Sequence, residues 1–247
     1  MVALFNLILF NPLYNALVFI TDIIPGNNIG VAIIILTIIV KIILFPLYHK
    51  SVKTQSKIKE IEPELKSLKN KYNDDKQEQA KQIMELYRHH GINPFVSIVL
   101  LFIQLPIFIA LFYVFFRGFE LNLDILYSFI PPPAVINTEL FGLLDIAEKS
   151  FILALLVGGA QFIQMKFSLP PLPPIDRNKK ERSIKDDFAR SFNIQMRYIM
   201  PIIIVFIASS LPAAVGLYWL TSNLFAIGHE LLVKRKALNI LTGRSIT

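Results

Sequence analysis

The sequence contains no cysteine among its 247 residues. This absence excludes disulfide bonds, thiol catalysis, thiolate metal sites and lipid attachment at a cysteine. Histidine is also scarce. Three of the four (His49, His89 and His90) lie in one charged segment, without the spacing of a zinc site. We therefore expect neither a metal nor any other cofactor.

Motifs for enzymatic chemistry are missing as well. The pair Gly158-Gly159 lies inside an apolar run and is not followed by Lys-Ser or Lys-Thr, which excludes a phosphate-binding loop. No acid–base pair, and no nucleophile beside a base, can be placed within the apolar segments. The sequence therefore predicts a protein that is not an enzyme and does not use ATP.

Apolar residues are what the chain has in abundance. They make up 54% of the sequence, and the mean hydropathy is +0.54. Because these residues come in long blocks, the composition predicts an all-α membrane protein rather than a soluble domain. Five transmembrane helices are expected, the last two joined tightly through Ser210–Pro212, in residues 29–48, 95–116, 150–166 and the helical hairpin 199–233.

The first 28 residues predict a helix that lies along the membrane surface on the extracytoplasmic side. Asn11 and Pro12 suit a helix start, and Asn11, Asn15 and Asp22 share one helical face. The segment has no basic start and no cleavage site, so we do not expect a removed signal. A short membrane anchor is the alternative.

Positive charges are sorted between the loops. Residues 49–94 carry ten Lys and Arg, residues 166–197 carry eight more, and the tail 234–247 is basic. By contrast, the loop 117–149 has two positive charges, at its ends, and five acidic residues. Since Lys/Arg-rich loops stay in the cytoplasm, we expect the N-terminus outside and the C-terminus inside.

Residues 49–94 predict a helical hairpin in the cytoplasm. Ile58, Ile61 and Leu65 begin a helical period that is broken at "YNDDKQ" and resumes at Ile83. This pair of helices either only connects two spans or offers a contact surface for a partner. The loop 167–198 contains "LPPLPPID", a stiff proline run that we interpret as a spacer.

Lys41 is an unusual residue for a membrane span. A charge within the hydrocarbon costs about 3 kcal/mol on insertion scales, so such a residue usually faces protein or water and has a function. The alternative is a side chain that reaches the cytoplasmic end near Tyr48, about 10 Å away. If Lys41 faces the helices, a wet cavity is expected, lined by Gln104, Gln161, Gln164, Thr221, Ser222 and Asn223.

Two of the predicted helices are also short. Residues 150–165 form about 24 Å of helix and residues 199–209 form less, against a hydrocarbon core of about 30 Å. Short helices are accommodated by a thinner bilayer. A thinned bilayer and a positively charged wet pocket predict a protein that helps polar peptide to enter lipid. The alternatives are a small-solute transporter and a scaffold for membrane assembly.

Several segments, in this order, resemble the YidC/Oxa/Alb family of membrane protein insertases over nearly the whole chain. They are "NPLYNAL", "TIIVKIILFPL", "IEPELKSLKNKYNDDKQ", "LYRHHGINPF", "FIQLPIFIALFYVFF", "GGAQFIQMK" and "MPIIIVFIASSLPAAVGLYWLTSNLF". The resemblance implies a five-span core in a prokaryotic plasma (inner) membrane, a hydrophilic groove open to the cytoplasm, and a mobile cytoplasmic hairpin. It also implies nascent membrane proteins and lipids as partners, with the ribosome and the Sec translocon as possible further partners.

The resemblance also assigns groove residues. The family's groove arginine corresponds to Lys41, which keeps the charge but loses the planar guanidinium fork. Gln164 or Gln161, and Trp219, fall where the family has groove residues of the third and fifth spans. A proline that the family often has in the second span is Leu100 here. The additional N-terminal span and periplasmic domain of some members, and a lipoprotein cysteine, have no counterpart, and the C-terminal tail is short.

Overall fold

The computed structural model describes residues 2–117, 122–133, 135–169 and 191–242. Helices dominate, and the expected all-α class is confirmed. In chain order they are α1 (Val2–Phe5), a π-helical turn (Asn6–Phe10), α2 (Asn11–Ile23), α3 (Ile29–Ile43), α4 (Phe45–Glu60), α5 (Glu62–Lys71), α6 (Lys76–His89), α7 (Phe95–Arg117), a 3-10 turn (Leu123–Ile125), α8 (Phe151–Ser168), a second π-helical turn (Gln195–Ile199), α9 (Met200–Ser210) and α10 (Ala213–Thr242). Two short antiparallel strands, β1 (Glu139–Leu140) and β2 (Leu144–Asp145), form a hairpin.

Three helices in the described residues are long and apolar enough to cross a membrane. They are Ala3–Ile23, Phe151–Ser168 and Ser191–Ser210, and a fourth results if Ile29–Ile43 and Phe45–Glu60 form one broken span. Within α7, the residues Phe102–Phe115 form a shorter apolar stretch. The expected count of five therefore stays a prediction. The same holds for the surface position of the N-terminal helix, since its length also suits a span.

One expectation about helix length is wrong. Residues 199–209 were expected to form a helix too short for the bilayer, but the helix runs from Ser191 to Ser210, 20 residues or about 30 Å. The polar residues Asn193, Gln195 and Arg197 suggest a loop in the sequence, yet they lie within the helix, which widens into the π-helical turn Gln195–Ile199. Helix length here therefore does not support a thinned bilayer.

The described residues divide into two compact units. The first comprises Met1–Ile43 and Pro106–Gly228, and the second comprises Leu44–Leu105 and His229–Thr247. Of the expected segments, residues 170–190 of the proline-rich loop and residues 243–247 of the basic tail lie outside the described residues, as do 118–121 and 134 of the acidic loop.

In the first unit, the loop between α7 and α8 is hydrogen-bonded to residues of α2 and α3. The Asn15 side chain donates from Nδ2 to the Ile125 carbonyl at 2.8 Å, and its Oδ1 accepts from the Tyr127 backbone N–H at 2.6 Å. The Ile29 N–H donates to the Asn137 carbonyl at 3.0 Å. Gly30 permits this approach, because a Cβ there would meet Leu140 Cδ1 at 2.8 Å. Hydrogen bonds thus hold the base of the loop against the first unit.

In the second unit, α5 and α6 pack around a small apolar core. Ile61, Leu65 and Ile92 are buried there, flanked by partly buried side chains that include Tyr87, whose phenol pKa is raised by burial. Gln79 Nε2 donates to the Lys69 carbonyl at 2.7 Å and joins the two helices. Asp75 caps α6 by accepting from two backbone N–H groups at 3.0 Å each. The helical period seen in the sequence therefore has a packing role.

Candidate functional site

Lys41 lies in the last turn of α3, on the face that this helix buries. Ile29, Ile33 and Thr37 precede it on that face at four-residue intervals, and all are buried. Lys41 is 9% exposed, whereas its neighbour Ile42 is 58% exposed. A lysine reaching along a lipid-facing surface would leave more of its stem exposed. Lys41 therefore lies on the protein-facing side of α3, and its role in a groove stays a prediction.

A chain of polar side chains connects α8 with α10 in the first unit. Asn223 Nδ2 donates to Gln161 Oε1 at 3.0 Å, and both side chains are buried. Gln161 Nε2 donates to Gln164 Oε1 at 3.3 Å, and Gln164 Nε2 donates to Ser168 Oγ at 3.2 Å. Three residues expected at the site are thus brought together. Ser168 was missed, because it follows the predicted span and looks like a loop residue.

The other expected residues of α10 have different surroundings. Trp219 is half-buried and packs edge-on against Phe108, with ring centroids 5.9 Å apart. Thr221 Oγ1 donates to the Leu217 carbonyl one turn earlier at 2.8 Å. Ser222 Oγ is buried and finds no hydrogen-bond partner within the described residues. A buried hydroxyl of this kind can bind water or a peptide group.

Gln104 belongs to the second unit, while the other expected residues belong to the first. It is half-buried on α7. Its membership of the same site therefore stays a prediction.

The second unit also holds a cluster that the sequence analysis missed. His49 Nδ1 and His229 Nε2 lie 3.0 Å apart and form a hydrogen bond between α4 and α10. The Phe45 ring stacks on His49 and meets His229 edge-on, with centroids 5.6 and 4.9 Å apart. Tyr48 packs against His229 as well. The available signal was the position of both histidines near the ends of predicted spans that should meet the cytoplasm.

These hydrogen bonds and ring contacts orient polar side chains between helices. The family model described as 60Kd inner membrane protein matches residues 19–239 of the chain. The chain belongs to this family. The expected resemblance to the YidC/Oxa/Alb family is thereby confirmed.

Proteins similar to this chain differ in length. A protein of Clostridium tetani named membrane protein insertase YidC is 34% identical over 211 residues, which is 85% of this chain and 84% of that protein. A protein of the same name from Pelobacter propionicus is 32% identical over 212 residues. One from Francisella tularensis subsp. novicida is 31% identical over 211 residues. The chain spans about a third of the length of these last two, 35% and 33%.

Proposed function

We propose that this chain is a membrane protein insertase and not an enzyme. Its clients are nascent membrane proteins, whose short polar segments cross the bilayer while their apolar segments enter lipid. The family membership and the names of the relatives support this function. The observation that carries the mechanism is the burial of Lys41 on the protein-facing side of an otherwise apolar helix.

In the proposed mechanism, Lys41 and the polar residues of α8 and α10 belong to one groove that is open to the cytoplasm. The ammonium group attracts acidic residues in the polar tail of a client, which lowers the cost of moving that tail into the membrane. The client's apolar segment then moves into lipid along the side of the protein. Its own transfer free energy of about 0.8 kcal/mol per buried CH₂ drives this step without a nucleotide.

The polar chain from Asn223 to Ser168 has a supporting role in this mechanism. The side chains of Asn223, Gln161 and Gln164 form hydrogen bonds with one another, so the groove can stay polar while no client is bound. Ser222 Oγ, buried and without a partner in the described residues, can hydrogen-bond to a client's backbone. Trp219 completes the lining within the first unit. Gln104 is expected to contact the client as well.

We further propose the topology that the distribution of Lys and Arg predicts. The N-terminus and the loop 117–149 lie outside, whereas the segment 49–94, the loop 167–198 and the C-terminal tail lie in the cytoplasm. The membrane is the prokaryotic plasma (inner) membrane. On the cytoplasmic side, the packed pair α5–α6 offers a contact surface for a client, the ribosome or the Sec translocon.

A transporter and an assembly scaffold are the competing functions. A transporter would be expected to have paired broken helices, repeat symmetry and usually a carboxylate within the membrane, and the predicted spans lack the repeat pattern. A scaffold would need the helix pair α5–α6 but not the charge of Lys41. Substitution at Lys41 therefore separates the insertase from the scaffold.

The experiment measures insertion of a single-span client with an acidic external tail into vesicles that contain only this protein. Lys41→Ala and Lys41→Met are expected to lower insertion, whereas Lys41→Arg retains it because the charge is kept. Ile42→Ala, at the neighbouring exposed position, is the matched control and is expected to match wild type. Equal insertion by wild type and both uncharged variants would reject the role of the charge.

A further inference from the structure

The β-hairpin of the first unit ends in an unusual turn. The Leu143 N–H donates to the Leu140 carbonyl at 3.1 Å, and between them Phe141 and Gly142 both have positive φ angles, 55° and 67°. Turns with two successive positive φ angles strongly favour Asn, Asp and Gly. Gly142 follows this preference, but Phe141 does not.

Packing against the protein does not explain a phenylalanine at this position. Phe141 is 73% exposed and Leu143 is 89% exposed. A left-handed conformation is unfavourable for a bulky residue, and such strained residues cluster where the strain serves a function. An exposed ring on a strained residue therefore points to a contact outside this chain.

The position of the hairpin indicates what that contact is. The loop that carries the hairpin is hydrogen-bonded to the N-terminal end of α3 through Ile29 and to that of α10, where the Ala213 N–H donates to the Glu148 carbonyl at 2.7 Å. Ser150, five residues after β2, caps the start of α8. The N-terminal ends of three apolar helices thus meet at this loop. In a membrane protein these ends lie at one membrane–water interface.

We propose that Phe141 and Leu143 insert into the boundary between phospholipid headgroups and acyl chains at this interface. Two side chains are far too little surface for a stable protein–protein contact, which buries about 800 Å² on each partner. A lipid interface, however, accepts single aromatic anchors. The base of the hairpin fits this orientation, because the paired residues Glu139 and Asp145 are exposed acids that stay in water.

Insertion of the tip would have a consequence for the helices. Because the loop is hydrogen-bonded to α3 and α10, an anchored tip fixes the depth of both helices in the bilayer. The inference rests on the chain crossing a membrane, as its family does, and is independent of insertase activity.

The test uses the natural absence of cysteine. Phe141→Cys and Leu143→Cys, and the controls Glu139→Cys and Asp145→Cys at the base of the same hairpin, each receive a nitroxide label in phosphatidylethanolamine–phosphatidylglycerol vesicles. Collision of the label with oxygen reports lipid, and collision with a water-soluble nickel chelate reports water. We expect the oxygen-to-nickel collision ratio to be several times higher at both tip positions than at both base positions.

Two results would overturn the proposal. If labels at the tip are as accessible to the nickel chelate as labels at the base, the tip lies in water. Labels at the tip shielded from both reagents would place it against a second copy of the chain. A second variant, Phe141→Asn, suits the positive φ angle but removes the ring, and it should lower the ratio measured at position 143. An unchanged ratio would also count against the proposal. None of these readings depends on client insertion.

Discussion

Gly158 allows a close approach between α8 and α9. A Cβ atom built on this glycine would lie 2.3 Å from Val205 Cγ2 and 3.2 Å from the Pro201 carbonyl oxygen. Valine is stiff at χ1, and the carbonyl belongs to the helix backbone, so neither neighbour can move aside easily. Small residues at helix interfaces permit such contacts in membranes. Gly158→Ala is therefore expected to force the two helices apart.

The adjacent glycine provides the matched control. A Cβ atom on Gly159 would meet nothing within 4 Å. Both substitutions gain the helix propensity of alanine, about 1 kcal/mol. Only Gly158→Ala adds overpacking, which typically costs about 1–3 kcal/mol. The difference in the free energy of unfolding between the two variants, about 1–3 kcal/mol, therefore isolates the steric term.

The assay is reversible unfolding in mixed micelles, followed by circular dichroism. Gly158→Ala should unfold at lower denaturant than Gly159→Ala, which should match or exceed wild type. Val205→Ala removes the methyl group that the new Cβ would contact, so the double variant Gly158→Ala/Val205→Ala should recover stability relative to the sum of the single changes. Equal stability of the two glycine variants, or additive effects of Gly158→Ala and Val205→Ala, would refute this account of the interface.

Two further predictions concern the hydrogen bonds. Asn223→Leu leaves the buried Gln161 Oε1 without its donor and should lower the free energy of unfolding by about 1 kcal/mol in the same assay. Thr221→Val removes only a hydrogen bond within its own helix and should lower the free energy of unfolding by less. An equal loss in both variants would contradict the proposed role of the hydrogen bonds between α8 and α10. His49→Ala and His229→Ala should each destabilise the protein and show a coupling of about 0.5–1.5 kcal/mol in a double-mutant cycle; zero coupling would mean that the two imidazoles do not bind each other.

The long apolar blocks made much of the fold predictable. A helix that is apolar on all faces has the same kind of sequence whether lipid or protein covers it. Composition alone therefore predicts an all-α membrane protein. Spacing places Ile33 and Thr37 on the same face as Lys41, but it does not say whether lipid or protein covers that face. The α5–α6 core follows from its period of apolar residues.

Other features were outside the reach of sequence reasoning for physical reasons. Asn193 and Arg197 continue the helix Ser191–Ser210, because polar residues can extend a helix beyond its apolar part and local polarity does not mark where the helix begins. The His49–His229 bond joins residues 180 positions apart. The positive φ angle of Phe141 contradicts its residue type, and such contradictions are expected where function, not stability, selects the residue.

The central claim is that a client's polar segment enters a groove lined by the polar face of this protein. The most direct measurement places photo-crosslinkers at Trp219 and Gln104, and at the exposed apolar positions Ile42 and Phe206, and presents a client stalled part-way through insertion. We predict that the client's polar tail is captured at Trp219 and Gln104 and not at Ile42 or Phe206. Capture at the two apolar positions alone, or equally at all four, would contradict the claim.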